Sequence, residues 1–551
     1  MPAGLHGRRL AHKKKRGKHM TNEQGPQSGE APKGFATSTR RQFIGWAGLL
    51  ALGASLSPLD ARAAQSAPRQ GGSVRFAIND GTQADSLDPA TWQSSYQQVI
   101  FGGTLCNALT EIDATGAVAP DLAESFSSSA DLKVWTFTLR PGLKFHDGAA
   151  VTVNDVIESY RHHMGPTSSS AAKAVVESIV DIKADGHRNV VFTLSGGNVD
   201  FPYLAADCHL VVMPAKAGGG IDWARGVATG PYAIEDNQPG IGVRMKRNPN
   251  YHKPGQPYFD KVEFINIIDA AARTNALLTG EIDYMVDADI KTLKMLEQNP
   301  DIEILKVSGL RHFSFSMNTT VAPFDNPDVR MALKYAIDRD DIINKAFLGN
   351  AKTANDNPVA PQIAFAVNPL PVHSYNIEKA KEHLTKAGLT SLTVDLSVAE
   401  TAFPNAIDAA LLFKEHAAKA GIDINVVREA DDGYWDNVWQ HKPFVGVDWL
   451  GKPTCDSLFT TTYASGAPWN DTAWKNKRFD ELLVKGRAES DKAKRQEIYG
   501  EMQQILHDDG GALVLAYALF IDAMSKKIAH GQIGNMLQCD NFRMAERWWL
   551  A

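Results

Sequence analysis

The chain has 551 residues, more than one hydrophobic core usually serves, so two or three domains are expected. With 44% hydrophobic and 22% charged residues the composition is that of a folded globular protein, and after the N-terminal region no apolar run of about 18 residues predicts a membrane span. Residues 1–63 hold 11 of the 57 Lys and Arg and 3 of the 63 Asp and Glu, which leaves 46 basic and 60 acidic groups and a net charge of −14. This acidic balance argues against nucleic acid or an anionic membrane as a partner.

The N-terminal region is predicted to lie outside the fold. Residues 1–36 are basic and polar and predict a disordered extension, with Met1 or Met20 as the start. Residues 37–63 contain Arg40-Arg41, a short apolar stretch and a small-x-small end, and they resemble a twin-arginine signal peptide. We expect cleavage near Ala63/Ala64 and a periplasmic location.

A long ordered pattern begins at Asp131. Residues 134–140 alternate between buried-type and polar side chains, which predicts a strand with one buried face. Turns follow at Pro141-Gly142 and at His146-Asp147-Gly148, and Thr152 is placed to cap a helix.

The segments on either side add elements in a consistent order. A strand is predicted at residues 71–78, a helix from Tyr96 to Leu109, and a turn at Thr229-Gly230-Pro231-Tyr232. Asn326 and Pro327 predict the start of a further helix. From residue 376 to residue 427 helices and strands alternate in a βαβ-like rhythm.

These motifs together resemble the signature of the family 5 extracellular solute-binding proteins, the peptide, nickel and related binders that serve ABC transporters. The resemblance implies an α/β, two-lobed periplasmic-binding-protein-like (type II) fold with an extra small domain. The ranges expected for the mature chain are 72–111 for the first part of lobe I, 112–225 for the extra small domain, 226–325 for the second part of lobe I, 326–511 for lobe II and 512–551 for a return to lobe I.

The motif search favours a binding protein over an enzyme. The sequence has no Gly-x-Ser-x-Gly, His-Glu-x-x-His or Gly-x-x-x-x-Gly-Lys-Ser/Thr motif, so we predict no catalytic residue, no cofactor and no metal. The four cysteines form no Cys-x-x-Cys pair. Buried free thiols are the simpler interpretation, and a disulfide such as Cys455–Cys539 stays open.

Aromatic and acidic residues are dense between Tyr434 and Asp471, and this density predicts the ligand site. Aromatic rings give a large contact area at little cost in rotamer entropy, and a carboxylate among them could bind a ligand ammonium. From this segment Trp435 and Trp449 are candidate ligand contacts.

The resemblance adds four candidates. In family peptide binders a strand and an acidic loop in this region supply an aspartate for the peptide amino group, which implies Asp448 here. Asp456 matches the last acid of the loop, for which a ligand contact and a structural role both stay open. The sequence departs from the pattern at Lys452-Pro453-Thr454, where acidic positions are replaced. Tyr96 and Asn318 lie on segments that approach the cleft in the family.

The predicted function is the periplasmic substrate-binding component of an ABC importer, which binds oligopeptides, dipeptides or related amino-acid derivatives by cleft closure. The expected partners are a small-molecule or peptide ligand and an ABC permease in the inner membrane, without nucleic acid, and the protein is expected to be a monomer. A nickel chelate or haem as ligand, with His441 near the aromatic residues, stays open as an alternative. A secreted peptide hydrolase and a receptor-coupled sensor are the alternatives from other classes.

Overall fold

A computed structural model describes residues 67–467 and 469–551. The predicted extension at 1–36 and signal peptide at 37–63 lie outside the described residues. Strands and helices alternate along the described chain, so the predicted mixed α/β class is confirmed. No helix in these two ranges is long and apolar enough to cross a membrane.

The strands of the described residues follow the chain in this order: β1 Ser73–Ile78, β2 Thr110–Ile112, β3 Val118–Pro120, β4 Ala123–Ser128, β5 Val134–Leu139, β6 Ile179–Asp185, β7 Asn189–Leu194, β8 Tyr232–Gln238, β9 Gly242–Arg247, β10 Lys261–Asn266, β11 Tyr284–Met285, β12 Ile302–Met317, β13 Ala351–Thr353, β14 Leu392–Val398, β15 Ile422–Arg428, β16 Phe444–Trp449, β17 Ala512–Ser525, β18 Ile528–Ala529 and β19 Trp549–Leu550.

The helices of the same residues are α1 Ser95–Gln97, α2 Val153–His163, α3 Lys173–Val176, α4 Phe201–Leu204, α5 Ala270–Thr279, α6 Leu293–Glu297, α7 Pro327–Tyr335, α8 Arg339–Lys345, α9 Ile377–Lys386, α10 Ala406–Ala418, α11 Tyr434–Asn437, α12 Cys455–Thr462, α13 Lys477–Arg487, α14 Lys492–Asp509, α15 Gln538–Asn541 and α16 Met544–Arg547. Short 3₁₀ turns occupy Pro89–Thr91 and Trp223–Arg225, and a π-helix occupies Gln98–Leu105.

Two helices begin at the capping residues that the sequence predicted. The Thr152 side chain accepts a hydrogen bond from the Asp155 amide and the Asp155 carboxylate accepts one from the Thr152 amide, so a capping box starts α2. Asn326 caps α7 by accepting from the Asp328 amide at 2.9 Å.

The predicted helix from Tyr96 to Leu109 differs in form, because α1 continues as a π-helix. Two glycines lie in this stretch against other parts of the chain. A Cβ on Gly103 would lie 2.1 Å from the Phe542 carbonyl oxygen, and one on Gly102 would lie 2.9 Å from the Cys208 Cβ. The backbone of this segment therefore lies in close contact with Phe542 and Cys208. These tertiary contacts, rather than helical periodicity, set its geometry.

Most strands belong to one eleven-stranded sheet in the order β15-β14-β16-β12-β17-β11-β1-β10-β9-β8, with β13 paired to β17. The β16 half contains β14, β15 and β16, and the β1 half contains β1 and β8 to β11. Each half packs its own hydrophobic core, one around Phe315 and Phe413 and the other around Phe76 and Tyr284. A separate four-stranded sheet, β4-β5-β7-β6, packs against α2 through a third core.

Two long strands join the halves. Residues 302–308 of β12 pair with residues 519–525 of β17 beside the β1 half, and residues 312–316 pair with residues 512–517 beside the β16 half. The register shifts between Ser308 and His312. The halves therefore meet at an irregularity in one continuous ladder.

The four cysteines are free thiols, so the structure contains no Cys455–Cys539 disulfide.

A buried charge network fixes the C-terminal segment to the β1 half. Lys253 Nζ lies 2.7 Å from a carboxylate oxygen of Glu111 and 2.7 Å from one of Glu546, and Arg543 binds Asp121 at 3.1 Å. Burial by itself lowers the pKa of Lys253, but the surrounding carboxylates outweigh it and raise the pKa above its ordinary value. The ammonium therefore stays charged and compensates acids that the fold has removed from water.

The variant Lys253→Met tests this network. Removal of one buried partner leaves carboxylates without a counter-charge, so we expect the free energy of unfolding to fall by about 3 to 5 kcal/mol. Urea unfolding at pH 7 measures it. Lys261→Met is the matched control, because the Lys261 side chain is 61% exposed and its ion pair with Glu235 is solvated. An equal loss of stability in the two variants would contradict the role of Lys253 as counter-charge to the buried carboxylates.

Candidate ligand-binding site

The site is built on the end of β12 that lies beside β16. Side chains alternate along this strand, and Phe313, Phe315 and Met317 pack into the core of the β16 half. His312, Ser314 and Ser316 therefore point to the opposite face. In the antiparallel register His312 lies opposite Trp449, so Trp449 shares this polar face.

Asp448 and Trp449 are neighbours in sequence but point to opposite faces of β16. Asp448 lies opposite Phe313 and meets the Arg311 guanidinium, whose Nε is 2.9 Å from Oδ1 and 2.8 Å from Oδ2. The Arg311 Nη2 also binds Oδ2, and the guanidinium carbon lies 5.4 Å from the centre of the Phe313 ring. Asp448 therefore already has a cationic partner.

Arg311 faces further acids from the β1 half. Burial lowers the pKa of Arg311, but the carboxylates of Asp448, Asp287 and Asp80 outweigh burial and raise it. Arg311 remains a guanidinium cation in this environment. A ligand ammonium could reach Asp448 only in competition with this cation.

Four tryptophans form a continuous row beside the polar face of β12. The ring centres of Trp435 and Trp439 are 5.9 Å apart, those of Trp439 and Trp449 are 6.1 Å apart, and those of Trp449 and Trp469 are 6.3 Å apart. Trp435 is 40% exposed and Trp469 is 48% exposed. A cluster of exposed large aromatic rings indicates a binding surface.

Asp471 lies beneath this row and is almost fully buried. The Trp439 and Trp449 indole N–H groups each donate to its Oδ2 at 3.3 Å, and the Ser316 hydroxyl donates to the same oxygen at 3.2 Å. Burial raises the pKa of the Asp471 carboxyl to about 6, although these hydrogen bonds pull it down. Among residues 67–467 and 469–551 no Lys, Arg or His forms an ion pair with it.

Several buried polar atoms lie on this side of the sheet without a hydrogen-bond partner in the described chain. They are both ring nitrogens of His312, the Ser314 hydroxyl and the Tyr463 hydroxyl. Burial lowers the pKa of His312 to about 4, so the ring is neutral at pH 7. Buried groups of this kind are rare in folded proteins, and one explanation is a functional role.

The structure brings together two of the predicted site residues, Trp435 and Trp449, through Trp439. Tyr96 is 1% exposed in the core of the β1 half, and its hydroxyl is among the buried atoms without a partner in the described residues. The Asn318 amide oxygen accepts hydrogen bonds from Thr320 in its own loop. The roles of these residues in ligand binding stay predictions.

Asp456 lies in a different environment from Asp448. It is buried at the first turn of α12, where Arg487 Nε lies 2.9 Å from its Oδ1 and 3.1 Å from its Oδ2. Burial raises the pKa of Asp456 to about 6 even with Arg487 against it. This geometry favours a structural role, the second possibility that the sequence left for this residue.

Sequence reasoning missed Asp471, Ser316 and His312 as site residues. The alternation along residues 312–317 is the signal that could have found His312 and Ser316, because it places polar side chains on one face of a strand. The identity of the acid beneath the tryptophans depends on a contact between β12, β16 and the loop before α13, which no periodicity shows.

One group of residues that could ligate a metal lies at Asp207, Cys208 and His209. His209 Nδ1 is 2.6 Å from an Asp207 carboxylate oxygen and its Nε2 is 2.6 Å from the Trp92 carbonyl oxygen. Both ring nitrogens face acceptors, so each donates a proton. Burial lowers the pKa of His209, but Cys208 and Asp207 outweigh burial and raise it to about 12. An imidazolium has no free lone pair for a metal.

A second group contains His373, His507 and Asp508. The two imidazole rings stack with centres 3.6 Å apart and planes 17° from parallel. Nitrogens of parallel rings point side by side, and a tetrahedral metal needs lone pairs that converge on one point. The stacked rings of His373 and His507 therefore do not offer converging lone pairs.

The variant Asp471→Asn tests the cost of the buried carboxylate. The folded pKa of about 6 exceeds the unfolded value of about 3.9, so the native state binds the proton more tightly and stability falls as the pH rises from about 4 to 6. A neutral amide avoids this cost. We expect the free energy of unfolding to rise by about 1 to 3 kcal/mol at pH 8 and to change little at pH 4.

Urea unfolding at both pH values measures this difference, with the exposed Asp432→Asn as control. A loss of stability at pH 8 would mean that the three hydrogen bonds to the ionised carboxylate outweigh its burial.

The variant Asp456→Ala tests the structural role of that acid. It leaves Arg487 half-buried without its partner, so we expect the free energy of unfolding to fall by about 2 kcal/mol with ligand affinity unchanged. Thermal melting and a ligand titration measure the two effects. Asp423→Ala, at an exposed and longer ion pair, serves as control. A loss of affinity without loss of stability would assign Asp456 to the binding site instead.

Comparison with known proteins shows which family this chain resembles. The family model described as bacterial extracellular solute-binding proteins, family 5 middle, matches residues 117–471. The glutathione-binding protein GsiB of Pectobacterium atrosepticum is 27% identical over 471 residues, which cover 81% of this chain and 89% of that protein. The di/tripeptide-binding protein 2 of Pseudomonas aeruginosa is 26% identical over 527 residues, which cover 87% of this chain and 96% of that protein.

A solved structure shares the fold over nearly its whole length. It is the ABC transporter-associated periplasmic binding protein DppA of Helicobacter pylori in complex with the peptide STSA, with a TM-score of 0.73 and 26% identity. The match covers 88% of this chain and 98% of that one. The predicted two-lobed fold is confirmed by this likeness. The chain belongs to the bacterial extracellular solute-binding proteins, family 5.

Proposed function

We propose that this protein is the periplasmic substrate-binding component of an ABC importer and that it binds small peptides or related amino-acid derivatives. The observation that carries the proposal is the row of four tryptophans, with two half-exposed rings, above the buried Asp471 carboxylate. The row offers apolar contact area and the carboxylate offers one fixed polar group, the combination typical of small-molecule sites. The named ligands of the relatives, glutathione and di- or tripeptides, support this class.

The proposed mechanism is closure of the two lobes around the ligand, followed by docking on a permease in the inner membrane and release of the unchanged solute. The ranges expected from the sequence supply the parts: lobe I at 72–111, 226–325 and 512–551, lobe II at 326–511, and the extra small domain at 112–225. One end of β12 and one end of β17 fall within the lobe I ranges but pack in the core of the β16 half. The hinge is the irregular crossing in β12 and β17. Contacts to both lobes would favour the closed state by the difference in ligand affinity between the two states.

Export by a twin-arginine signal at 37–63, with cleavage near Ala63/Ala64, and action as a monomer complete the proposal. The Arg40-Arg41 pair, the following apolar stretch and the small-x-small end support this export route.

The experiment is a thermal-shift screen of the mature protein, residues 64–551, with di- to pentapeptides, glutathione, amino-acid conjugates, nickel chelates and haem. We expect members of the peptide or amino-acid classes to raise the melting temperature, because contacts to both lobes stabilise the folded state. Mass spectrometry of the recovered ligand should show it unaltered. Turnover of the peptides would favour the hydrolase alternative, and a shift with only chelates or haem would replace the ligand class.

The variant Trp435→Ala tests the tryptophan row with the best ligand of that screen. Removal of a half-exposed ring at a binding surface should weaken affinity by about tenfold or more. Isothermal titration calorimetry measures the change. Trp223→Ala, in the 3₁₀ turn Trp223–Arg225 that packs against the core of the β1 half, is the control. Equal affinity of Trp435→Ala and the native protein would remove the row from the site.

A further inference from the structure

We propose that Asp471 is the acceptor for a cationic nitrogen of the ligand, so that the bound solute carries an N–H-bearing cation, a primary ammonium or a guanidinium, beneath the tryptophan row. This inference rests on the proposed function, because it names the chemistry of one end of the ligand. It assigns the charge contact to an acid other than Asp448.

The first step of the argument is the charge balance of three carboxylates. Asp448 is paired with Arg311 and Asp456 is paired with Arg487. Asp471 is as deeply buried as Asp456, yet no cationic side chain in the described part of the chain forms an ion pair with it. A buried carboxylate without a counter-charge costs free energy, and a ligand cation would remove that cost.

The second step concerns the two oxygens of the Asp471 carboxylate. The Trp439, Trp449 and Ser316 donors all converge on Oδ2. No side chain of residues 67–467 and 469–551 donates a hydrogen bond to Oδ1, and the remaining hydrogen bond of the carboxylate comes from the Asp471 backbone. The three donors fix the orientation of the carboxylate and leave Oδ1 as the acceptor for a further donor, and a ligand N–H is the donor that also carries the missing charge.

The third step concerns the faces of the indole rings. Trp439 and Trp449 point their N–H edges at the carboxylate. Their rings are therefore held in place by hydrogen bonds, by an edge-to-face contact of Trp439 with Trp435 and by a tilted contact of Trp449 with Trp469. The electron-rich faces of exposed indoles attract cations. The carboxylate and the row therefore favour the same charge on the ligand.

The neighbouring hydroxyl of Tyr463 supports the assignment. It is buried without a hydrogen-bond partner in the described chain, and burial together with the charge of Asp471 raises the pKa of Tyr463 well above its ordinary value. The phenol therefore stays protonated near the carboxylate and can hydrogen-bond a ligand group. Ser314 offers a second unused hydroxyl on the same side of the sheet.

The test uses the mature protein with four named probes: L-alanyl-L-alanine, its N-acetyl derivative, n-butylammonium and n-butanol. Melting temperature and tryptophan fluorescence at pH 8 report binding. We expect the two amine-bearing probes to bind and their uncharged counterparts to bind at least about tenfold more weakly, because the charge-assisted hydrogen bond is absent.

Two substitutions separate the candidate acids. We expect Asp471→Asn to weaken binding of the amine probes by about tenfold to a hundredfold and to leave binding of the uncharged probes unchanged. Asp432→Asn, an exposed acid on the loop before Trp435, is the matched control. Loss of amine binding in Asp448→Asn with retention in Asp471→Asn would overturn the inference and return the contact to Asp448. Circular dichroism confirms folding, and Asp471→Ser provides a second neutral variant.

The outcomes also separate this inference from the proposed function. If the N-acetyl peptide binds as tightly as the free peptide, the cation site is overturned and peptide binding stands. If n-butylammonium binds in an Asp471-dependent way and no peptide does, the cation site stands and the proposed ligand class fails. If neither amine probe binds, the cation site is overturned.

Discussion

The pairing of β12 with β17 is the constraint on which the rest of the structure depends. These strands, of 16 and 14 residues, are shared by both halves of the large sheet. Their register shifts between Ser308 and His312, and a Cβ on Gly309 within that gap would lie 2.4 Å from the Phe520 ring. The two cores lie on either side of this short irregular stretch, which is why we propose it as the hinge. The same strand then supplies the polar face of the site, so the crossing and the site are only a few residues apart.

Alternation along β12 and β16 sorts the charged and aromatic groups of the site. One face carries the ion pair between Arg311 and Asp448 toward the acids of the β1 half. The other face carries Trp449 and reaches Asp471. Asp448 and Trp449 are adjacent in sequence but lie in different surroundings. Arg311 neutralises the Asp448 carboxylate, whereas Asp471, twenty-three positions later, has no basic partner among the described residues. The charge of the candidate site depends on which acid has a basic partner. The pairing of β12 with β16 brings Arg311 to Asp448.

The remaining parts of the molecule hold this arrangement in place. The network of Lys253, Arg543 and their carboxylates fixes the C-terminal segment beneath the β1 half. Phe542 of that segment meets the π-helix at Gly103 at backbone distance. On the other side, Arg487 secures the first turn of α12 through Asp456. These contacts join segments that are separated in sequence.

The sequence by itself determined the local elements and the family, because those depend on short-range physics. Alternation predicted β5 and capping predicted the starts of α2 and α7, since a side chain and its own backbone settle both. It also placed the aromatic residues of the site in one segment. Only the tertiary structure decided that Asp448 belongs to Arg311, that Asp456 belongs to Arg487 and that Asp471 lies beneath the tryptophans. Charge pairing and burial are long-range properties, fixed when distant strands and loops meet, and no spacing within a single segment specifies them.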